Sequence, residues 1–230
     1  MKPRIIGAGL AGCEAAWQCA RHGVEVELYE MRPARSTPAH QTDQFAELVC
    51  SNSLKSESEN TAPWLLKEEM RRTGSLLLRI AQETSVPAGH ALAVDRERFS
   101  ARVTEALSAE PKIRIIREEV TQISDTGLTI VATGPLTSDG LSREIARLSG
   151  SNHLFFFDSI SPIVEADSID MSRVYMAARY GKGTADYINC PFTKEEYDRF
   201  YDALIAAESV EGHDWENLNY FEGCLPIEEI

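Results

Sequence analysis

RIIGAGLAGCEAAWQCARHGVEVELYE, residues 4–30, consists of two apolar runs separated by a glycine-rich turn. From Leu10 to about His22 the apolar residues recur near helical spacing, and Gly23 is a typical helix end. The residues that follow alternate between apolar and acidic types up to Glu30, which predicts a strand. The segment is therefore predicted to form a strand, a helix and a second strand, with the two strands parallel.

The glycine turn has the pattern G-x-G-x-x-G, which is typical of a phosphate-binding loop. Its members are Gly7, Ala8, Gly9, Leu10, Ala11 and Gly12. In such a loop the first glycine permits the tight turn, the second leaves room for a pyrophosphate, and the third lets the helix pack closely on the sheet. Glu30 lies 18 residues beyond Gly12 at the predicted strand end. We expect its carboxylate to accept hydrogen bonds from a ribose diol.

The kind of dinucleotide can be narrowed further. An acid at this position favours an unphosphorylated ribose, and therefore FAD or NAD over NADP. A later apolar run ends at Ala132 and is followed by Gly134. By analogy with two-dinucleotide flavoproteins, where a second glycine approaches the cofactor, this favours FAD. The alternative, a purely structural glycine turn, does not require the acid at the second strand end.

Composition limits the class of protein. No apolar run approaches the roughly 20 residues of a membrane helix, so we expect a cytoplasmic protein without a membrane partner. The five cysteines are odd in number and contain no C-x-x-C pair, so no disulfide framework or metal site is indicated. Residues 1–120 hold 16 basic and 17 acidic residues, whereas residues 121–230 hold 7 and 19. This chain alone therefore lacks the basic surface of a nucleic-acid-binding protein.

The order of predicted elements indicates an α/β fold. Residues 1–150 are predicted to form a Rossmann-like FAD-binding domain of the two-dinucleotide flavoprotein type, and residues 151–230 a small inserted α+β domain. Residues 31–60 are predicted to be irregular. One amphipathic helix is predicted from Pro63 to about Gln82. Asp95 is a predicted N-cap, and Phe99, Val103 and Leu107 recur every four residues on the helix that follows. In the second region Thr193 begins a helix with a capping box. Its buried face is predicted to contain Tyr197, Phe200, Tyr201 and Leu204.

Three thiols are candidates for chemistry or for structure. Cys50 lies in a polar loop beside Ser51 and Asn52, where it is either activated by polar neighbours or inert against the apolar residues before it. Cys224 lies between a glycine and a proline in Gly223-Cys-Leu-Pro226, which suggests a fixed, exposed turn. Cys190 follows a predicted strand and is interpreted as structural. Cys13 and Cys19 lie in the first predicted helix and are interpreted as apolar packing residues.

Several segments together resemble the folate- and FAD-dependent tRNA (uracil-5-)-methyltransferases, the TrmFO family formerly grouped with the Gid proteins. They are IIGAGLAG at 5–12, YEMRP at 29–33, TPAHQTDQFAELVCSNSLKS at 37–56, LLKEEMRR at 65–72, VPAGHALAVDRERFS at 86–100, IREEVT at 116–121, VATGPLTSDGL at 131–141 and YFEGCLPIE at 220–228. The resemblance extends over the whole chain.

The resemblance implies a cytoplasmic flavoprotein that forms 5-methyluridine in the T-loop of tRNA. Methylenetetrahydrofolate would supply the one-carbon unit, and NADH or NADPH the electrons. By family pattern Cys224 matches the cysteine that attacks uracil C6, and Cys50 a second cysteine near the flavin, although the two roles could be exchanged. The loop from Gly7 to Gly12 matches the FAD phosphate site, and Glu30 the ribose contact. No stable protein partner is expected.

The chain departs from the family in length. Family members continue for a comparable length beyond EGCLPIE, with a part that completes the FAD site and contributes to tRNA docking. The chain is therefore expected to correspond to the N-terminal half, with the basic surface in the other half. Three alternatives remain: the same chemistry on ribosomal RNA, a flavin-dependent oxidoreductase or related uridine-modifying enzyme that needs neither cysteine, and a non-catalytic flavin-binding fragment.

Overall fold

The computed structural model describes residues 2–150, 164–178, 181 and 183–208. Its strands and helices are β1 (Arg4–Ile6), α1 (Leu10–Arg21), β2 (Val26–Glu30), β3 (Ser53–Ser56), α2 (Ala62–Arg72), α3 (Leu76–Glu83), β4 (Ser85–Val86), β5 (Ala91–Val94), α4 (Arg96–Ser108), β6 (Ile113–Arg117), β7 (Thr129–Val131), α5 (Asp139–Ser149), β8 (Tyr175–Ala177), β9 (Tyr187–Asn189) and α6 (Lys194–Ile205). Within these described ranges no helix has both the length and the hydropathy needed to cross a membrane.

Four strands form a parallel sheet in the order β6-β2-β1-β7. Ile5 of β1 pairs with Leu28 of β2 on one side and with Ile130 of β7 on the other. The chain moves outward from β1 through β2 to β6, and then returns to the opposite side of β1 with β7. In such sheets ligands bind beyond the carboxyl ends of the strands, where the order reverses. The predicted α/β class is confirmed, and the glycine turn lies at this reversal.

The main core lies between the parallel sheet and the helices packed on it. Ile5 and Leu28 are fully buried, and so are Phe99, Val103 and Leu107, which recur every four residues on α4. Burying a side chain of this size stabilises a fold by roughly 1.5–3 kcal/mol relative to leaving it exposed. The predicted apolar stripe of α4 is confirmed, and Asp95 caps the helix by accepting from Arg98 N.

The helix predicted from Pro63 to Gln82 is in fact two helices, α2 and α3. Gly74 lies between them with φ +71, a left-handed conformation that ends a helix. Ser75 then begins α3, because its side chain accepts from Leu78 N. Because the apolar spacing continues across the break, periodicity alone predicts one helix where the structure has two. The residues 31–60, predicted to be irregular, also contain β3, which pairs with β5 in a small antiparallel sheet.

The described residues after 163 form a two-stranded hairpin, β8 with β9, and helix α6. The predicted capping box of α6 is confirmed, since Thr193 and Glu196 exchange hydrogen bonds. The prediction that its apolar face is buried is wrong for the aromatic residues, since Tyr197, Phe200 and Tyr201 are 53, 45 and 49% exposed. Leu204, the fourth residue of that face, is half-buried. The spacing identifies the apolar face of a helix correctly, but it does not show whether another element covers that face.

Gly12 provides a test of how closely α1 approaches the glycine turn. A Cβ added there would lie 1.8 Å from Gly7 O, a backbone atom that cannot move without opening the turn. We expect Gly12→Ala to lower the free energy of unfolding by about 2–3 kcal/mol, measured by urea denaturation. The control is Gly9→Ala, since nothing lies within 4 Å of that Cβ position. A similar loss in both variants would contradict this account.

Candidate functional site

The glycine loop, residues 7–12, connects β1 to α1. Gly7 has φ +98, its N–H donates to Tyr29 O at 2.8 Å, and an added Cβ would lie 2.8 Å from Ala132 O. The space beside Gly9, in contrast, is open, with no atom within 4 Å of the position that a methyl group would take there. The loop is therefore tight where it meets β2, β7 and α1, and accessible at Gly9, where a phosphate would approach.

The N-terminus of α1 has the properties of an anion site. Gly9 occupies the N-cap position without a side chain, and the first turn contains no acidic residue. The first helical hydrogen bond runs from Cys13 N to Gly9 O. Among the described residues no side chain caps the amides ahead of it. These amides and the helix dipole favour a negatively charged group at this end of the helix.

Glu30 reaches the glycine loop from the end of β2. Its Oε2 accepts from Ala8 N at 3.1 Å, and its Oε1 accepts from the N and Nε of Arg32 at 3.0 and 2.9 Å. The residue is only 6% exposed. A carboxylate oxygen accepts two hydrogen bonds, so within the described residues Oε2 keeps one position for a hydroxyl group.

Arg32 connects Glu30 to the loop that follows. Its side chain is 3% exposed and donates through Nη1 to Glu47 Oε2 at 2.8 Å and to Thr42 O at 3.1 Å. Glu47 also accepts from the backbone N–H groups of Gln41 and Thr42. The sequence analysis assigned no role to Arg32 or Glu47. The only signal in the sequence was the position of Arg32 two residues after the acid.

The titration of two groups at the site follows from these contacts. Burial alone would raise the pKa of Glu30, but the hydrogen bonds from Arg32 and Ala8 outweigh it and hold this pKa below its ordinary value. Burial raises the pKa of the Cys13 thiol far above its ordinary value, and its S–H donates to Ala8 O at 3.1 Å. Cys13 is therefore an unreactive core residue, as the sequence predicted.

An open cleft lies above the carboxyl ends of the parallel strands. It is lined by residues 7–9 of the glycine loop, by 29–32 after β2, by 118–120 after β6, and by Thr133 and Leu136 after β7. Gly134 does not line it, but it lies beside Thr133 with φ +62 and begins a short 3-10 turn. Residues 118–120, which lie within IREEVT, were assigned no role at the site from the sequence, because their residue types indicate no chemistry of their own.

Glu30, Glu118 and Glu119 give the cleft three carboxylates. Another depression, of about 250 Å³, is lined by residues 118–124 with Arg4 and Thr129 and contains no glycine-loop residue. Within the described part of the chain, no group of three His, Cys, Asp or Glu side chains is arranged to hold a metal ion. The cleft above the glycine loop is the candidate site because it is lined by that loop and by Glu30.

Cys50, the first of the two candidate cysteines, lies close in sequence to a residue that is bonded to the glycine loop. Ala46 N donates to Ala8 O at 2.8 Å, which holds residue 46 against the glycine loop. Four further residues span at most about 14 Å, so Cys50 lies within that distance of Ala46. Cys50 is half-buried. Cys224 lies outside the described residues. Cys190, interpreted as structural from the sequence, is exposed.

Comparison with known proteins gives consistent matches. The family model described as glucose inhibited division protein A matches residues 2–230. A methylenetetrahydrofolate--tRNA-(uracil-5-)-methyltransferase TrmFO of Koribacter versatilis is 78% identical over 231 residues, covering 100% of this chain and 52% of the relative. The protein of the same name from Solibacter usitatus is 61% identical, covering 98% of this chain and 52% of the relative. The chain thus spans about half the length of these relatives.

A solved structure resembles the fold. Aquifex aeolicus GidA, in its form II crystal, superposes with a TM-score of 0.52 at 17% identity, covering 64% of this chain and 30% of that one. This likeness supports the fold alone.

The contacts of Glu30 predict a pH dependence of stability. A carboxylate with a lowered pKa in the folded state stabilises the fold above its unfolded pKa, ordinarily near 4.5, and loses this contribution as the pH falls through the folded value. We expect the difference in free energy of unfolding between the protein and Glu30→Gln to be largest above that pH and to shrink on acidification. Urea denaturation across the acid range measures it.

Glu25→Gln is the control for this experiment, because Glu25 forms an exposed ion pair with Lys2 at 2.7 Å. Exposed pairs contribute little to stability. A Glu30→Gln profile parallel to that of the unsubstituted protein at every pH would contradict the proposed role of the Glu30 contacts.

Proposed function

The chain belongs to the glucose inhibited division protein A family, and from this membership we propose that it carries the FAD site and the thiol chemistry of a methylenetetrahydrofolate-dependent tRNA (uracil-5-)-methyltransferase. The observation that carries the proposal is the glycine loop with its open space at Gly9 and with Glu30 beside it. This geometry occurs in a chain 78% identical to a protein with that name.

The residues present fit FAD. The open side of Gly9 and the uncapped amides of α1 suit its pyrophosphate, and Glu30 Oε2 suits a ribose hydroxyl. Residues 118–120 and Thr133 line the same cleft. Gly134, the second glycine of the sequence analysis, lies next to Thr133 but outside the lining. When bound, the flavin supplies the redox chemistry, and the protein supplies position and electrostatics.

The position of Glu30 favours an unphosphorylated ribose. Its carboxylate lies beside the glycine loop, where it suits a ribose hydroxyl and would repel a phosphate on the ribose. We therefore propose FAD as the resident dinucleotide and assign NADH or NADPH only the role of a transient electron donor. Residues 1–150 would form the FAD-binding domain and residues 151–230 the inserted domain.

The thiols supply the second part of the chemistry. Uracil C5 is a poor nucleophile until another group adds at C6, and a cysteine thiolate is suited to that addition. We assign the addition to Cys224 and a supporting role in removing the C5 proton to Cys50, with the exchanged assignment as the alternative. After the one-carbon unit has bonded to C5, loss of the C5 proton and expulsion of the thiolate restore the ring double bond. The transferred unit is still at the methylene level, and two electrons from NADH or NADPH would reduce it to the methyl group.

We propose the T-loop of tRNA as the substrate and a cytoplasmic location, with no membrane and no stable protein partner. A net charge of −13 gives these 230 residues no electrostatic attraction for a phosphate backbone. RNA docking therefore depends on basic surface outside them. The same chemistry on ribosomal RNA is the second candidate, since the described part of the site contains nothing that selects between the two RNAs.

Binding of FAD can be tested at Gly9. We expect Gly9→Ala to weaken FAD binding by about tenfold or more, because the added methyl group occupies the space that the pyrophosphate needs. Titration of the full-length apoprotein, followed by flavin fluorescence, measures the affinity. Gln18→Ala on the same helix is the control. Unchanged affinity in Gly9→Ala, or a protein that never binds FAD, would exclude this site.

The thiol assignment can be tested by methylation assays on tRNA and ribosomal RNA transcripts with the full-length protein. We expect Cys224→Ala to reduce turnover by roughly a thousandfold or more, as loss of a nucleophile does. Cys50→Ala should also be impaired, whereas Cys190→Ala should retain activity. Normal turnover without Cys224 and Cys50 would favour a thiol-independent oxidoreductase or uridine-modifying enzyme, and activity only on ribosomal RNA would favour the second candidate.

A further inference from the structure

The segment that carries Cys50 is held through its backbone by two cationic side chains. Arg96 Nη2, at the start of α4, donates to Cys50 O at 3.0 Å. Lys67 Nζ, on α2, donates to the carbonyl oxygens of three consecutive residues, Leu54, Lys55 and Ser56, at 2.7, 3.2 and 2.7 Å. We call residues 50–56 the Cys50 segment.

Lys67 is an unusual residue for this position. It is 4% exposed, whereas the other charged residues of its helix are half-buried or exposed. Burying an ammonium group is costly unless the charge is paired and its N–H groups are bonded. Here the three carbonyl groups accept, and Glu57 Oε1 lies 3.2 Å from Nζ. The three N–H groups of the Lys67 ammonium thus donate to one short stretch of backbone.

The backbone that Lys67 binds is irregular. Lys55 has φ +64, a left-handed conformation that a residue with a side chain rarely adopts, and the pairing of β3 with β5 shifts register between Ser53 and Ser56. Three carbonyl dipoles aimed at one point would repel one another without a cation between them. Lys67 therefore stabilises a conformation that the strand would not otherwise keep.

Further hydrogen bonds hold the Cys50 segment and the chain that leads into it. Asn52 exchanges hydrogen bonds with Val94, through its side chain at 2.9 Å and its backbone at 3.0 Å. On the other side, Phe45 N donates to Thr104 Oγ1 at 2.8 Å, and Ala46 N donates to the glycine loop. The chain that leads into the segment is thus bonded to the glycine loop and to α4, and the segment itself to α2, α4 and β5.

We propose that Lys67 and Arg96 are positioning residues that bind the carbonyl groups of the Cys50 segment and so present the Cys50 thiol at a fixed place relative to the glycine loop. This inference rests on the proposed function, because it assigns the fixed thiol a part in the reaction. Neither cation need touch the substrate or the flavin. Both act on the backbone of the Cys50 segment.

The test measures the alkylation rate of each cysteine in the full chain, resolved by mass spectrometry of its peptides. Lys67→Met and Arg96→Met keep an unbranched side chain and remove the donors. In both we expect Cys50 to react about tenfold faster or more, the fold-change that corresponds to losing one hydrogen bond from a charged donor. Arg72→Met on α2 and Arg98→Met on α4, both exposed positions, are the matched controls.

Two other thiols in the same molecule separate positioning from unfolding. Cys190 is exposed and Cys13 fully buried. The proposal requires that Cys190 keep its rate and that Cys13 stay protected while Cys50 accelerates. An unchanged Cys50, or Cys50 and Cys13 accelerating together, would overturn it, since the second result reports loss of the whole fold.

Chemical rescue gives a second readout. Lys67→Ala removes three methylene groups and the ammonium group. The removed part of the side chain has the size of n-propylammonium. Added n-propylammonium is expected to restore slow alkylation of Cys50, whereas n-propanol, which fills the space without charge, should not. Equal effects of the two additives, or no effect of either, would contradict a role for the cation.

These measurements use no flavin, folate or RNA, so their outcome is independent of the proposed reaction. If Cys50→Ala methylates RNA normally while Cys50 still accelerates in Lys67→Met, the reaction assignment fails and the positioning of the segment stands. If the methylation assay supports Cys50 and its alkylation rate is unchanged in both Met variants, the positioning proposal fails alone.

Discussion

The buried pairing of Glu30 with Arg32 is the interaction on which the site depends. A carboxylate and a guanidinium with 6 and 2% exposure are stable only because nearly every polar atom has a partner: Ala8 on one side, Glu47 and Thr42 on the other. The pairing joins three separate parts of the chain, the glycine loop, the end of β2 and the 40–47 loop. Removing one charge leaves the other buried without compensation.

A second constraint acts through the backbone. Ala46, with φ +50, donates to Ala8 O, and the Cys50 segment beyond it is bound by cations on α2 and α4. The polar loop between β2 and β3 is therefore an ordered part of the site, fixed at several points to secondary structure. In this arrangement the carboxyl ends of the parallel strands form the site proposed for the cofactor. The small antiparallel sheet contains β3, which is part of the Cys50 segment.

The sequence predicted the features that depend on neighbouring residues, such as the first strand–helix–strand unit and the caps at Asp95 and Thr193. It did not predict the features that depend on distant contacts. The Arg32–Glu47 ion pair joins residues 15 positions apart, and the buried state of Lys67 depends on carbonyl groups 11 to 13 residues before it. Helical spacing likewise placed the aromatic residues of α6 on one face, but no local pattern shows that this face stays exposed.

That aromatic face has a consequence for the behaviour of the polypeptide in solution. On α6, Tyr197 stacks on Tyr201, and Phe192, which precedes the helix, stacks on Phe200. The other side of the helix is rich in acidic residues. At neutral pH the net charge of −13 keeps neighbouring molecules apart, although exposed rings attract one another in water. Near the isoelectric point of about 4.9 this repulsion vanishes, so colloidal stability is lowest in mildly acidic buffer.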